Sequence, residues 1–219
     1  GLFLPQPLAT VAAVLMLLTQ LYLVVSGNYA WLNWVTIVVM TAATFRGVDG
    51  VILTGMTHSM DLLALTGIFV DGVRPALLDP ILSKRGGDPG YVTTMPGTRG
   101  VFHYPGDVAP EILAADEATK DQVPATVVPD LLTLAFVGPL STGINVPVLI
   151  ANGSQDTLFC AYNCSSPTAL RTAEAPFFSQ AAQLTVHLTP AAGHSVALSE
   201  HAAEHRIAIR DWIRNRIGE

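Results

Sequence analysis

Charge is absent from the first fifth of this chain. From Gly1 to Phe45 there is no Asp, Glu, Lys or Arg, and the first charged side chain is Arg46. Across all 219 residues only 13% are charged, against about 25% in an ordinary soluble domain. The whole net charge of −6 therefore belongs to residues 46–219. No basic stripe occurs, so a phosphate backbone finds no electrostatic footprint and nucleic acid is excluded as a partner. Cysteine is scarce: Cys160 and Cys164 in "FCAYNC" are the only two. Their C-x-x-x-C spacing is not the redox spacing, and two thiols alone make a poor zinc site. They suit a loop disulfide and, with it, an oxidising compartment. No internal repeat is present. The chain opens on Gly rather than Met, which reads as a processed chain or a fragment.

What fills the uncharged stretch is hydrocarbon. Residues 8–26, "LATVAAVLMLLTQLYLVVS", are nearly all apolar and match the roughly 20 residues a helix needs to cross a bilayer. "GNYAWLNW" follows, with Gly27 and Asn28 for a turn and Tyr29, Trp31 and Trp34 as aromatics. Tyr and Trp favour the membrane–water boundary. Residues 35–45 are apolar again but short for a full span. The expectation is an apolar helical hairpin over 1–45 whose residues 8–45 enter a lipid bilayer. A secretory signal peptide fits poorly, because a basic n-region is lacking and the apolar run is too long. Periodicity does not separate this hairpin from a pair of helices buried in a globular core. "SGNYAWLNWVTIVV", with the preceding "LPQPLATVAAVLMLLTQLYLV", resembles a membrane segment of the lipase maturation factor family. The resemblance contains none of that family's soluble domain.

The charged part, 46–219, reads as α/β. "GVDGVILTG" (47–55), "VPVLIANG" (146–153) and "AQLTVHLT" (182–189) are β-branched or apolar runs closed by turn residues, as buried parallel strands are. "DLLALTGIFV", "APEILAADEATKDQV" and "PDLLTLAF" suit helices, with Pro110 near the first turn of the second. "LSEHAAEHRIAIRDWIRNRI" (198–217) suits an amphipathic closing helix, with Leu198, Ala202, Ile209, Trp212 and Ile213 on one face. The Pro- and Gly-rich stretch from "GVRPALLDP" to "PGTRG" reads as an irregular excursion with short helical turns. Strand, long insertion, strand, helical stretch, strand, helix is the order of a parallel sheet with an insertion after its first strand, about residues 60–143.

Sites in open α/β sheets form beyond the carboxyl ends of the strands. Asp156 in "NGSQD" follows one strand and His194 in "PAAGHS" follows the next. On neighbouring strands the two would come within hydrogen-bond reach, and the carboxylate would set the tautomer of the imidazole. "VPVLIANGSQD" and "LTPAAGHSVAL", followed by the closing helix, resemble the last two strands and triad loops of the α/β-hydrolase fold. "VDGVILTG" is similar to the strand before that fold's cap. The resemblance implies an incomplete α/β-hydrolase-like parallel sheet with a cap insertion. It implies Asp156 as the triad acid, His194 as the general base, and a small-molecule ester or acyl compound as substrate once the missing half is supplied.

The departure from that pattern is large. The nucleophile of the fold stands on G-x-S-x-G, ahead of the strand at 47–55, and the motif occurs nowhere in this chain. The apolar segment occupies the place where it, the first strands and the oxyanion hole belong. Ser59 in "THSMD" and Ser141 in "GPLSTG" are the nearest substitutes, and neither sits in an elbow sequence. The expectation is a chain inactive as given. A membrane protein of lipase maturation factor type, with a non-catalytic soluble tail, is the other reading. Either way the protein is expected at a membrane or in an extracytoplasmic space.

Neither a cofactor nor a metal is expected. "HAAEH" (201–205) matches the inverted zinc-protease pattern, but such a site needs a further ligand. His201, Glu204 and His205 are expected on the rim and solvent face of the closing helix. His103 and His187 are expected to be structural, and His58, at a strand end, could line a pocket.

Overall fold

The computed structural model describes residues 48–86, 89–125 and 140–218. The segment expected to enter a membrane, and the helix expected in "PDLLTLAF", lie outside the described residues. Among the described residues no helix is long and apolar enough to cross a membrane.

The centre is a parallel three-stranded sheet of β1 (Val51–Thr54), β5 (Val148–Gly153) and β6 (Thr185–Thr189), in the order β1-β5-β6. All six residues of β5 are buried. Its side chains alternate between two cores, as the period of a strand requires. Val148 and Ile150 face a cluster with Cys160, Cys164, Leu170, Phe178, Ala182 and Leu184. Leu149 and Ala151 face Trp212. Burying each of the large aliphatic side chains of β5 contributes about 1.5–3 kcal/mol. The register pairs Gly153 with Thr189, so the two strands end side by side.

Helix α3 (Pro167–Glu174) covers the first face, capped by the Ser166 hydroxyl, which accepts from the Ala169 amide at 3.0 Å. Helix α4 (Ala202–Arg216) covers the second. Its buried positions are Ala202, His205 and Trp212, with Ile209 packed beside them. This differs from the expected stripe: Ile213 is exposed, and Leu198 lies before the helix in a short 3-10 turn and is also exposed. A histidine takes an inward position because a partner waits there. His205 Nδ1 lies 2.9 Å from the buried Thr189 hydroxyl.

The insertion carries more order than its Pro/Gly content implied. Helix α1 (Leu62–Asp71) begins at Asp61, whose carboxylate accepts from the Leu63 and Ala64 amides at 2.9 Å each. Three short strands, β2 (Val73–Pro75), β3 (Tyr91–Thr94) and β4 (Val123–Pro124), form a second, antiparallel sheet. Helix α2 (Pro110–Thr119) leads into β4. Strands of two to four residues are too short to show an alternation in sequence, which is why this sheet reads as irregular chain.

A buried ion cluster holds the insertion together. Lys120 Nζ lies 2.9 Å from Asp79, with both side chains fully buried, and 2.5 Å from Glu117. It also donates to the Thr94 carbonyl at 2.9 Å, tying α2 to β3. Burial pushes the Asp79 carboxyl up, but the Lys120 ammonium and the amides of Ile81 and Leu82 outweigh it, and the group lies below the ordinary Asp value. A carboxyl lowered in the folded state contributes stability above its unfolded value, and that stability is lost as pH falls through the folded value. Urea titrations should therefore show stability falling below about pH 4, and less steeply in Asp79→Asn. Lys120→Ala leaves the buried Asp79 with the Arg74 guanidinium, 3.3 Å away, as its remaining cation, and should cost about 3 kcal/mol at pH 7, the low end for breaking a buried ion pair.

Candidate functional site

Beyond the carboxyl ends of β5 and β6, two loops are drawn into contact by Gly153. A Cβ at that position would collide with the backbone of Ala192 and Gly193, so only glycine permits the approach. The Ser154 amide donates to the Thr189 carbonyl and the Gln155 amide to the Ala192 carbonyl, both at 2.9 Å. The Ser154 hydroxyl accepts from the Ala191 amide at 3.0 Å, at a residue with φ of 52°. The turn after one strand thus fixes the turn after the other.

Asp156 stands on this junction, 1% exposed. Its Oδ1 accepts from the Leu158 and Phe159 amides at 2.9 and 3.0 Å. Its Oδ2 lies 3.1 Å from His194 Nδ1 and accepts, at 3.4 Å, from the buried Asn152 amide. Residues 38 positions apart are thereby joined. The imidazole stacks on Phe159, with centroids 4.8 Å apart, and Phe102 lies 5.8 Å away. At the end of β1 stands Gly55, with φ of 64°; a Cβ there would crowd the Cε1 edge of the imidazole at 3.0 Å. A carboxylate offers only acceptors, so Nδ1 carries the proton and Nε2 presents a lone pair. Nε2 has no hydrogen-bond partner among the described residues. The side chain is a quarter exposed.

The other candidates fall elsewhere. Cys160 and Cys164 form the expected disulfide, directly after Phe159. His103 Nε2 lies 3.2 Å from Asp116, in a cluster with Arg99. His187 and His205 have ring centroids 6.3 Å apart. Burial pushes both below the ordinary histidine value, and for His205 the neighbouring His187 and Arg206 add to the effect. His205 is buried, not on the solvent face, whereas His201 sits outside, 3.8 Å from Asp107 and from Glu204. The two histidines of "HAAEH" thus point to different environments. Among the described residues no group of three or more His, Cys, Asp or Glu could hold a metal ion.

What the sequence did not single out is Glu174. It lies at the end of α3, fully buried, and grips the loop after β1. His58 Nδ1 lies 2.7 Å from its Oε2, and Ser59 donates its hydroxyl to Oε1 at 2.8 Å. Ser141 Oγ lies 2.8 Å from His58 Nε2. A lone Glu on an amphipathic helix carries no sign that it faces inward.

Residues 1–46 match the family model described as lipase maturation factor transmembrane domain. The stretch is therefore similar to a membrane segment, in accord with the lack of charge over residues 1–45. No curated protein matches the chain.

The Asp156 carboxylate has two measurable consequences. In Asp156→Ala the Leu158 and Phe159 amides lose their buried acceptor, and each such loss costs about 1–3 kcal/mol. Urea denaturation should show a drop of at least about 2 kcal/mol. In the wild type, long-range ¹⁵N–¹H spectra above pH 8 should show the His194 proton on Nδ1 alone. A mixture of tautomers would remove the carboxylate's orienting role.

Proposed function

We propose that residues 46–219 form an α/β-hydrolase-like domain and carry the acid–base half of a serine acyl hydrolase, with Asp156 as the orienting acid and His194 as the general base. The observation that supports this is the 3.1 Å contact between Asp156 and His194 Nδ1 at adjacent strand ends. In this reading His194 Nε2 takes the proton of an incoming serine hydroxyl as that oxygen attacks an ester carbonyl. Asp156 steadies the imidazolium, which then returns the proton to the leaving alcohol. The serine and the oxyanion donors come from sequence outside this chain.

The second reading is a membrane protein of lipase maturation factor type whose soluble tail is not catalytic. The match over residues 1–46 supports this reading and has no bearing on the hydrolase one. The coding sequence upstream discriminates between them. A G-x-S-x-G there favours the hydrolase; further membrane helices favour the alternative.

Two measurements follow. Losing a triad serine costs on the order of 10⁶-fold in turnover. Hydrolysis of p-nitrophenyl butyrate by the 219-residue chain should therefore be the same in wild type and His194→Ala; a fall on removing His194 would show that it already serves a nucleophile within the chain. Residues 1–45, expressed alone with a tag, should sediment with membranes and resist carbonate extraction. Recovery as a soluble monomer would mean a pair of core helices instead.

A further inference from the structure

Apart from the Asp156–His194 pair, a serine, a histidine and a carboxylate meet at the loop after β1. They come from three places in the chain: the loop after β1, the 3-10 turn Leu140–Gly143, and the last turn of α3. Glu174 accepts from the His58 backbone amide at 3.0 Å through both oxygens, from the Ser59 hydroxyl at 2.8 Å, and faces His58 Nδ1 at 2.7 Å. Its acceptor capacity is used on donors, so Nδ1 carries the imidazole proton. Nε2 then presents its lone pair, and the Ser141 hydroxyl donates to it at 2.8 Å. That is the tautomer and the polarity a general base requires. The ring is held from two sides. It stacks on Phe177 with centroids 4.1 Å apart and planes at 7°, and Phe178 meets it edge-on at 5.6 Å. Ser141 is half-buried, and Thr142 and Gly143 after it are exposed.

We propose that Ser141, His58 and Glu174 form a nucleophilic site of their own, in which Ser141 is acylated by small esters. The Ser141 oxygen bonds to the acyl carbon as its proton passes to His58 Nε2. The ester C–O bond then breaks and the leaving alcohol takes that proton. Water repeats the exchange at the acyl-serine, releasing the carboxylic acid and restoring the hydroxyl. Glu174 is a positioning residue: it holds the ring and its tautomer. The elbow motif is not needed for this contact, because the fold supplies the histidine across 83 residues. The proposal does not rest on the role of His194.

An alkyl fluorophosphonate bearing biotin tests it on the 219-residue chain. The serine oxygen displaces fluoride from phosphorus, and fluoride leaves with the proton as hydrogen fluoride. The expected result is one adduct, mapped by peptide mass spectrometry to Ser141, absent in Ser141→Ala and undiminished in His194→Ala. His58→Gln should lower the labelling rate by about 10²–10⁴-fold, the usual contribution of a general base. Ser141→Ala leaves the His58–Glu174 contacts in place and is the variant to rely on if His58→Gln unfolds. Folded wild-type protein that takes no adduct, an adduct on another serine, or labelling unchanged in folded His58→Gln would each overturn the proposal and reduce the array to a structural clamp. Loss of labelling in His194→Ala would also overturn it, since the reactive serine would then belong to the Asp156 pair.

Discussion

The carboxylate of Asp156 is where the carboxyl end of the parallel sheet is assembled. One oxygen gathers the amides of Leu158 and Phe159, and the other faces His194 and Asn152. A buried carboxylate is costly unless its lone pairs are met, and here each donor that meets them is a piece of the site. The amides shape the turn that presents Phe159, and Phe159 is the platform on which His194 stacks. The disulfide between Cys160 and Cys164 closes the loop immediately after it. Acid, ring and loop are thus fixed by one group, which in turn depends on Gly153 allowing the two turns to touch.

Glu174 repeats this arrangement at the loop after β1. It too is fully buried, accepts backbone and hydroxyl donors, and orients an imidazole. The two arrays are connected. The Thr57 hydroxyl donates to the Phe159 carbonyl, and Thr57 Oγ1 accepts from the Ser59 amide at 2.9 Å. Phe159 therefore serves the first histidine with its ring and the loop of the second with its carbonyl. In a low-dielectric interior such a chain of hydrogen bonds is rigid when every member is satisfied and costly when one is removed. Substitutions at either carboxylate are for this reason expected to disturb both loops, and only changes at the outer serine or at the histidine rings separate the arrays.

The insertion solves its own packing problem by different means. Its sheet is too small to bury much apolar surface, and Ala76, Leu82 and Tyr91 make up its cluster of buried apolar side chains. Charge takes over: Asp79, Lys120 and Glu117 hold β3, α2 and the turns after β2 together. Apolar side chains of α1, Leu62, Leu63 and Val70, remain exposed among the described residues.

Much of the central sheet was legible in the sequence, because a strand buried on both faces leaves a continuous apolar run, as "VPVLIANG" does for β5, whereas β1 and β6, expected to be buried, are only partly so and were legible as β-branched runs closed by turn residues. The positions of Asp156 and His194 followed from counting past the ends of "VPVLIANG" and "AQLTVHLT", and the close pair of cysteines pointed to its own bond. The antiparallel sheet of the insertion was not legible, since strands such as Val123–Pro124 are too short to carry a pattern. Nor was the inward face of α4, where His205 replaces an apolar residue because Thr189 offers it a hydrogen bond. By itself the sequence determined what local chemistry determines: which runs are apolar enough to be buried, which stretch lacks all charge, and where turns fall. Only the tertiary structure decided that Glu174 faces inward and that Ser141 reaches His58. A hydrogen bond across 83 residues depends on the packing of three separate elements, and no local preference of the chain encodes it.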